Sequence, residues 1–214
     1  MPVRYLAAIA LACAVLLDGC AAGRSVLPAG IDAGPNPAQG TAVRIAAVED
    51  ARVFSVRPPS PDQPSLMEDA EIDNKAITGR AVGRKRGGLG AALGDVLLPE
   101  NTSVAALVQT ALTRGLREAG YRVIASGEPG YEQAVPIRAR VEQFWSWFSP
   151  GFAAVTLSNR AAVNLQGPLP PLEQGSAFRS EVSNNMQVVL ESDWTEIVNK
   201  GLDALATAVR TGMR

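Results

Sequence analysis

Apolar positions recur along this chain in two rhythms, and the change from one to the other outlines the elements. Val43, Ile45 and Ala47 alternate with Arg44 and Ala46, the period of a strand. Val104, Leu107, Val108, Ala111, Leu112 and Leu116 fall on one helical face. Asn101-Thr102-Ser103 stands where that helix would begin, and Gly120 stands where it would stop. Tyr121 to Ile124 predicts a short strand. Val135, Ile137, Ala139 and Val141 alternate again and run on into Phe144-Trp145-Ser146-Trp147-Phe148. After Ser149-Pro150-Gly151, the residues Ala153, Val155, Leu157, Ala161, Val163 and Leu165 predict the next strand, and Ala177 to Val182 a further one. Trp194, Ile197, Val198, Leu202, Leu205 and Val209 form the apolar face of a closing helix. Ser192-Asp193 is its expected cap, with Glu196 at capping-box spacing from Asp193. The expected fold class is α+β: a β-α-β-β-β-α two-layer sandwich with two helices on one face of a mostly antiparallel sheet.

Before the first strand the pattern differs. Tyr5 to Leu17 is an uncharged apolar run preceded by Arg4, short for a membrane span but suited to a secretory signal. It ends in Leu17-Asp18-Gly19-Cys20, which resembles a lipobox. In lipoproteins with that motif the cysteine thiol receives a diacylglyceryl group, the signal is cut before it, and the new amine is acylated. Asp18 departs from the usual small or uncharged residue there. An ordinary signal peptide cut later, in Ala21-Ala22-Gly23, is the alternative. The expected organisation is thus a signal over residues 1–19, a lipidated Cys20 with a flexible tether to residue 40, and a single periplasmic domain over 41–214. Each buried acyl methylene would contribute about 0.8 kcal/mol of anchoring. Ala21 rather than aspartate after the cysteine points, by likeness to enteric sorting, to the outer membrane. Residues 21–40, rich in Ala, Gly and Pro, predict a tether with a reach of roughly 25 Å.

Residues 52–99 show no sustained period and predict a long loop, a length that implies function or poor order. It carries Arg84-Lys85-Arg86 within a glycine-rich run. That trio is either a solvated loop or a contact for headgroup phosphates or an acidic partner. Gly88, Gly90 and Gly94 superficially match a dinucleotide-binding pattern, but no strand precedes them and Pro99 follows too soon for the required helix.

Charge and composition narrow the chemistry. The net charge of −1 gives no electrostatic case for nucleic acid. With no histidine in the chain, Ser-His-Asp and Cys-His catalysis and most zinc and copper sites are excluded. None of Lys75, Lys85 and Lys200 has a serine three residues before it, so a Ser-x-x-Lys dyad is absent as well. Glycosidase chemistry with two carboxylates held across a cleft is not excluded by the sequence, but most acidic residues fall in expected loops or on helix surfaces. No cofactor, metal or nucleotide is expected, and no enzymatic activity. Cys13 would leave with the signal and Cys20 would carry lipid, so no intramolecular disulfide is expected.

Aromatic residues are 5% of the chain, yet Phe144, Trp145, Trp147, Phe148 and Phe152 crowd one stretch. If alternation continues unbroken from Val141, Trp145 and Trp147 face the core and Phe144, Phe148 and Phe152 face away. A tight turn at Ser149–Gly151 would pair Phe148 with Phe152, Trp145 with Val155 and Ile137 with Val163. The outward phenylalanines would then be a docking surface for a partner or membrane, unless the long loop covers them.

Ile77-Thr78-Gly79-Arg80, Val82-Gly83-Arg84-Lys85-Arg86, Gly90, Gly94-Asp95-Val96, Gly120-Tyr121-Arg122-Val123 and Phe144 through Phe152 together resemble the YajG family of bacterial lipoproteins. The resemblance spans roughly residues 41–210. It implies an outer-membrane-associated lipoprotein without a settled biochemical activity. The expected function is therefore a non-enzymatic, membrane-tethered binding or assembly module acting through protein contacts in the envelope. The alternative is an auxiliary lipoprotein subunit of an envelope lipid or solute transport system.

Overall fold

The structure, a computed structural model, describes residues 23–87, 91–152 and 154–214. The proposed signal and Cys20 lie outside the described residues. In chain order the elements are β1 (Ser25–Val26), β2 (Ala42–Asp50), α1 (Lys75–Thr78), β3 (Ala81–Arg86), β4 (Ala92–Leu97), α2 (Val104–Glu118), β5 (Arg122–Val123), β6 (Val135–Pro150), β7 (Val155–Gln166), β8 (Ser176–Met186) and α3 (Glu191–Gly212). The class is α+β, as expected. Among the described residues the sheet has eight strands and is mixed rather than purely antiparallel. β1–β4, β2–β5, β2–β6 and β3–β6 are parallel pairs, while β3–β4, β6–β7 and β7–β8 are antiparallel.

The two long helices form where the apolar spacing places them. Every apolar position predicted for α2 and α3 is buried, and the helices pack on each other and on one face of the sheet. The Ser103 hydroxyl accepts the Ala106 N–H and caps α2. Gly120 takes φ +98°, and the Tyr121 N–H closes back on the Leu116 carbonyl as the helix ends. The start of α3 differs from expectation. Asp193 is the third helical residue, and its carboxylate accepts the N–H of Leu190, which precedes the helix. Glu196 pairs with Lys200 instead.

β6 organises the sheet. β7 lies along one edge of it. The other edge is shared, with β2 running beside Val135–Val141 and β3 meeting it at Ser146. Arg52 fills the seam where β2 leaves and β3 arrives. Its guanidinium donates to the carbonyls of Thr78, Ala81 and Phe144 and forms a two-pronged pair with Asp50. The Thr78 carbonyl ends α1, while those of Ala81 and Phe144 lie where β3 begins and where β2 has left β6; the guanidinium fork satisfies all three.

One extra residue in β6 overturns the expected facing of the aromatic run. Val141 pairs with Val163, but Gln143 pairs with Ala162, so Glu142 is a β-bulge. A bulge of one residue swaps the faces of everything after it. Ile137, Ala139 and Val141 face the helices before it; Phe144 does so after it, fully buried in the main core. Phe148 packs half-buried against the same core. Trp145 and Trp147 turn to the opposite face. There they join Leu66, Ala81 and Leu97 in a second cluster, against which Phe54, Ile72 and Ile77 pack. The Phe54 and Trp145 rings meet edge to face at 5.8 Å, and the Trp145 indole N–H donates to the Pro61 carbonyl. The expected strand pairing is corrected too: Phe148 faces Leu157, Trp145 faces Arg160, and beyond the ladder the Gly151 N–H donates to the Ala154 carbonyl.

Two segments expected to be irregular are structured. Within 52–99 lie α1 and the β3–β4 hairpin, and the part before β3 covers Trp145 and Trp147 as a second layer. Regular period fails there because each residue answers to a local partner rather than to a broad face. The segment expected as a tether packs, from Gly23 onward, as an arm across the domain. Ser25 and Val26 pair with Val96 and Leu97, and Leu27 is buried in the main core. Arg117 holds the Gly34 carbonyl, and Asn36 exchanges two hydrogen bonds with the Val123 backbone. Gly94 in β4, at φ +153°, lets the arm pass, since a Cβ there would meet the Gly23 carbonyl oxygen at 1.9 Å.

Candidate binding cleft at the hairpin end

The β6–β7 turn, the β3–β4 hairpin and the start of α3 come together at one end of the sheet. Between them lies an open cleft of about 560 Å³, within the range of roughly 300–1,000 Å³ common for ligand sites. Leu93, Phe148, Val155, Val188, Val189, Leu190 and Trp194 make its walls apolar. Lys85, Arg86 and Glu191 supply its charge. The pairing of Phe148 with Leu157 brings the phenylalanine to this end of the helix face, and the pairing of β7 with β8 brings the 186–190 link beside it.

Lys85 and Glu191 form an ion pair across the cleft rim, and the Lys85 ammonium also donates to the Ser25 hydroxyl. Burial alone would raise the Glu191 carboxyl, but the hydrogen bonds from Lys85 and Ser25 outweigh it and hold the group below its usual range. Arg86 donates to the Ser65 hydroxyl. Burial, with the neighbouring Arg84 charge, pushes its guanidinium below its ordinary value.

The basic trio is therefore not an exposed loop. Arg84, Lys85 and Arg86 belong to β3, and Arg84 and Lys85 are 8% and 6% exposed. The ladder to β4 and the Glu191 and Ser25 contacts hold them in the fold. The phenylalanine trio separates into three environments: Phe144 is core, Phe148 lines the cleft, and Phe152 stands fully exposed on the turn. Lys85, Arg86 and Phe148 are the expected contact residues that the structure brings together. Cys20 lies outside the described residues.

Val188, Leu190 and Leu93 were not singled out from the sequence. The unbroken apolar run Val188-Val189-Leu190, just before a polar helix start, was the available signal. Val188 and Leu190 are 68% and 60% exposed beside the cleft. Exposed apolar side chains clustered at one place mark an interaction surface more often than a scattered few do. Among the described residues, no group of three or more His, Cys, Asp or Glu is placed to hold a metal, and no helix is long and apolar enough to cross a membrane.

No family model and no curated protein matches the chain. Among solved structures, an uncharacterized protein is similar at 10% identity and a TM-score of 0.46, over 91% of this chain and 99% of that one. A Xanthomonas campestris protein of family DUF330 is similar at 8% identity and a TM-score of 0.45, over 88% and 91%. The PelC dodecamer of Paraburkholderia phytofirmans gives 14% identity and a TM-score of 0.25, over 81% and 93%.

Proposed function

We propose that this chain is a non-enzymatic envelope lipoprotein of the YajG kind. A lipid on Cys20 holds it to the periplasmic side of the outer membrane, and it works there as a binding and assembly module through protein contacts. The observation that carries the reading is the apolar cleft with its exposed rim of Val188 and Leu190. Such a rim is stabilised by contact with an apolar partner and contributes little to the isolated domain. The absence of histidine removes the commonest general base, and with it Ser-His and Cys-His chemistry.

A second reading has its own support. A cleft of this volume with few polar groups also suits an acyl chain, as an auxiliary subunit of a lipid transport system would require. Site-specific photo-crosslinking in cells separates the two. A crosslinker replacing Leu190 is expected to capture one defined envelope protein, whereas the same group at Glu173, in the exposed β7–β8 turn, captures none. Adducts at Leu190 consisting of lipid alone would reject the protein-contact reading and favour the transport one.

A further inference from the structure

We infer that the hairpin end of the domain is its membrane-apposed face, with Phe152 seated in the interfacial layer of the bilayer that the lipid anchor enters. The inference rests on the reading of Cys20 as the lipid-bearing residue. It goes beyond that reading because a flexible tether would leave the domain free to present any face.

The packed arm removes that freedom. The Gly23 N–H donates to the Leu93 carbonyl at 2.6 Å, and Ser25 and Val26 are laddered to β4. Leu93 is itself a wall of the cleft. Cys20 precedes Gly23 by three residues, a stretch that spans at most about 11 Å even when fully extended. Whatever course those residues take, the anchor therefore emerges beside the cleft and not at the far end of the sheet. β7 covers 12 residues between the two ends, so the β7–β8 turn lies on the order of 35 Å from the anchored end.

The surface at the anchored end suits the layer it would meet. Phe152 is fully exposed at the β6–β7 turn, and Val188 and Leu190 are exposed apolar residues of the cleft at the same end of the sheet. An aromatic ring on a short turn enters the headgroup–acyl boundary without carrying backbone into the hydrocarbon. The far turn presents Glu173 and Gln174 instead. A protein partner of the cleft must then reach it along the membrane surface.

The mature chain holds no cysteine beyond Cys20 once Cys13 leaves with the signal, so an introduced thiol can be labelled uniquely. Full-length Phe152→Cys and Glu173→Cys proteins, purified from envelopes in detergent, would carry an environment-sensitive fluorophore. They would be reconstituted into phosphatidylethanolamine–phosphatidylglycerol vesicles containing brominated acyl chains. The expected result is a blue shift and strong quenching at position 152, with emission at 173 unchanged. A vesicle-bound chain that carries the acyl mass but shows an unquenched label at 152, or equal quenching at both positions, overturns the inference alone. A mature chain without the acyl mass overturns the lipidation reading and this inference with it.

Discussion

Single residues decide more of this structure than their composition suggests. Phe144, Phe148 and Phe152 are chemically identical, yet one is core, one is cleft wall and one is solvent-exposed. Phe144→Ala is expected to cost about 3–5 kcal/mol, as loss of a large core side chain does. Phe152→Ala should change stability by no more than about 0.5 kcal/mol. Denaturant titration of the two variants checks the assignment, and similar losses would contradict it. Arg52 is the less obvious case. Its side chain is wholly buried against Asp50 and three carbonyls. Removing it leaves those acceptors without a donor, so Arg52→Ala is expected to lose about 3–5 kcal/mol. An unchanged denaturation midpoint would show that water replaces the guanidinium. Nothing in the sequence around Val-Phe-Ser distinguishes this arginine from its surface counterparts, because its partners are backbone atoms far along the chain.

At the scale of elements, the helices were legible and the strands less so. A helix displays its buried face through its own spacing, and the faces of α2 and α3 follow it residue for residue. A strand shows only alternation, and one bulge inverts everything downstream. Glu142 has no local mark that separates a bulged glutamate from an outward-facing one. The arm is the clearest departure from composition. An Ala-, Gly- and Pro-rich stretch is poor in periodic pattern, yet Leu27 is 4% exposed and its N–H donates to the Leu97 carbonyl. Leu27→Ala is therefore expected to destabilise by about 2–5 kcal/mol. A free tether predicts no change, and thermal melts of the variant and parent decide between them.

Across the whole molecule, the Lys85–Glu191 pair ties the arm, the inserted hairpin and the closing helix at one point, because Lys85 in β3 reaches Ser25 in β1 and Glu191 in α3. The Glu191 carboxyl lies below its usual range, so the folded state favours its charged form. The resulting stability is present above the ordinary carboxylate range and is lost as pH falls through the lowered value. The carboxylate is half exposed, which limits the contribution to about 1 kcal/mol or less. Melting temperatures of Glu191→Gln and the parent should differ most near neutral pH and converge on acidification. A gap that stays constant with pH would mean that the pair does not couple to folding.

What the sequence determined by itself is the local part of this design: the two helical faces, the succession of strands after Val135, the histidine-free chemistry and the lipobox-like end at Cys20. Each follows from residues close enough in the chain to share a turn, a face or a motif. The tertiary structure alone decided where the aromatic residues point, that residues 23–37 pack, and that Lys85, Arg86, Phe148 and the 188–190 link meet at one cleft. Those outcomes depend on strand register and on contacts between residues as far apart as Lys85 and Glu191. A bulge, a shared strand edge and a docked arm are set by which distant backbone groups find partners, and side-chain pattern carries no record of that choice.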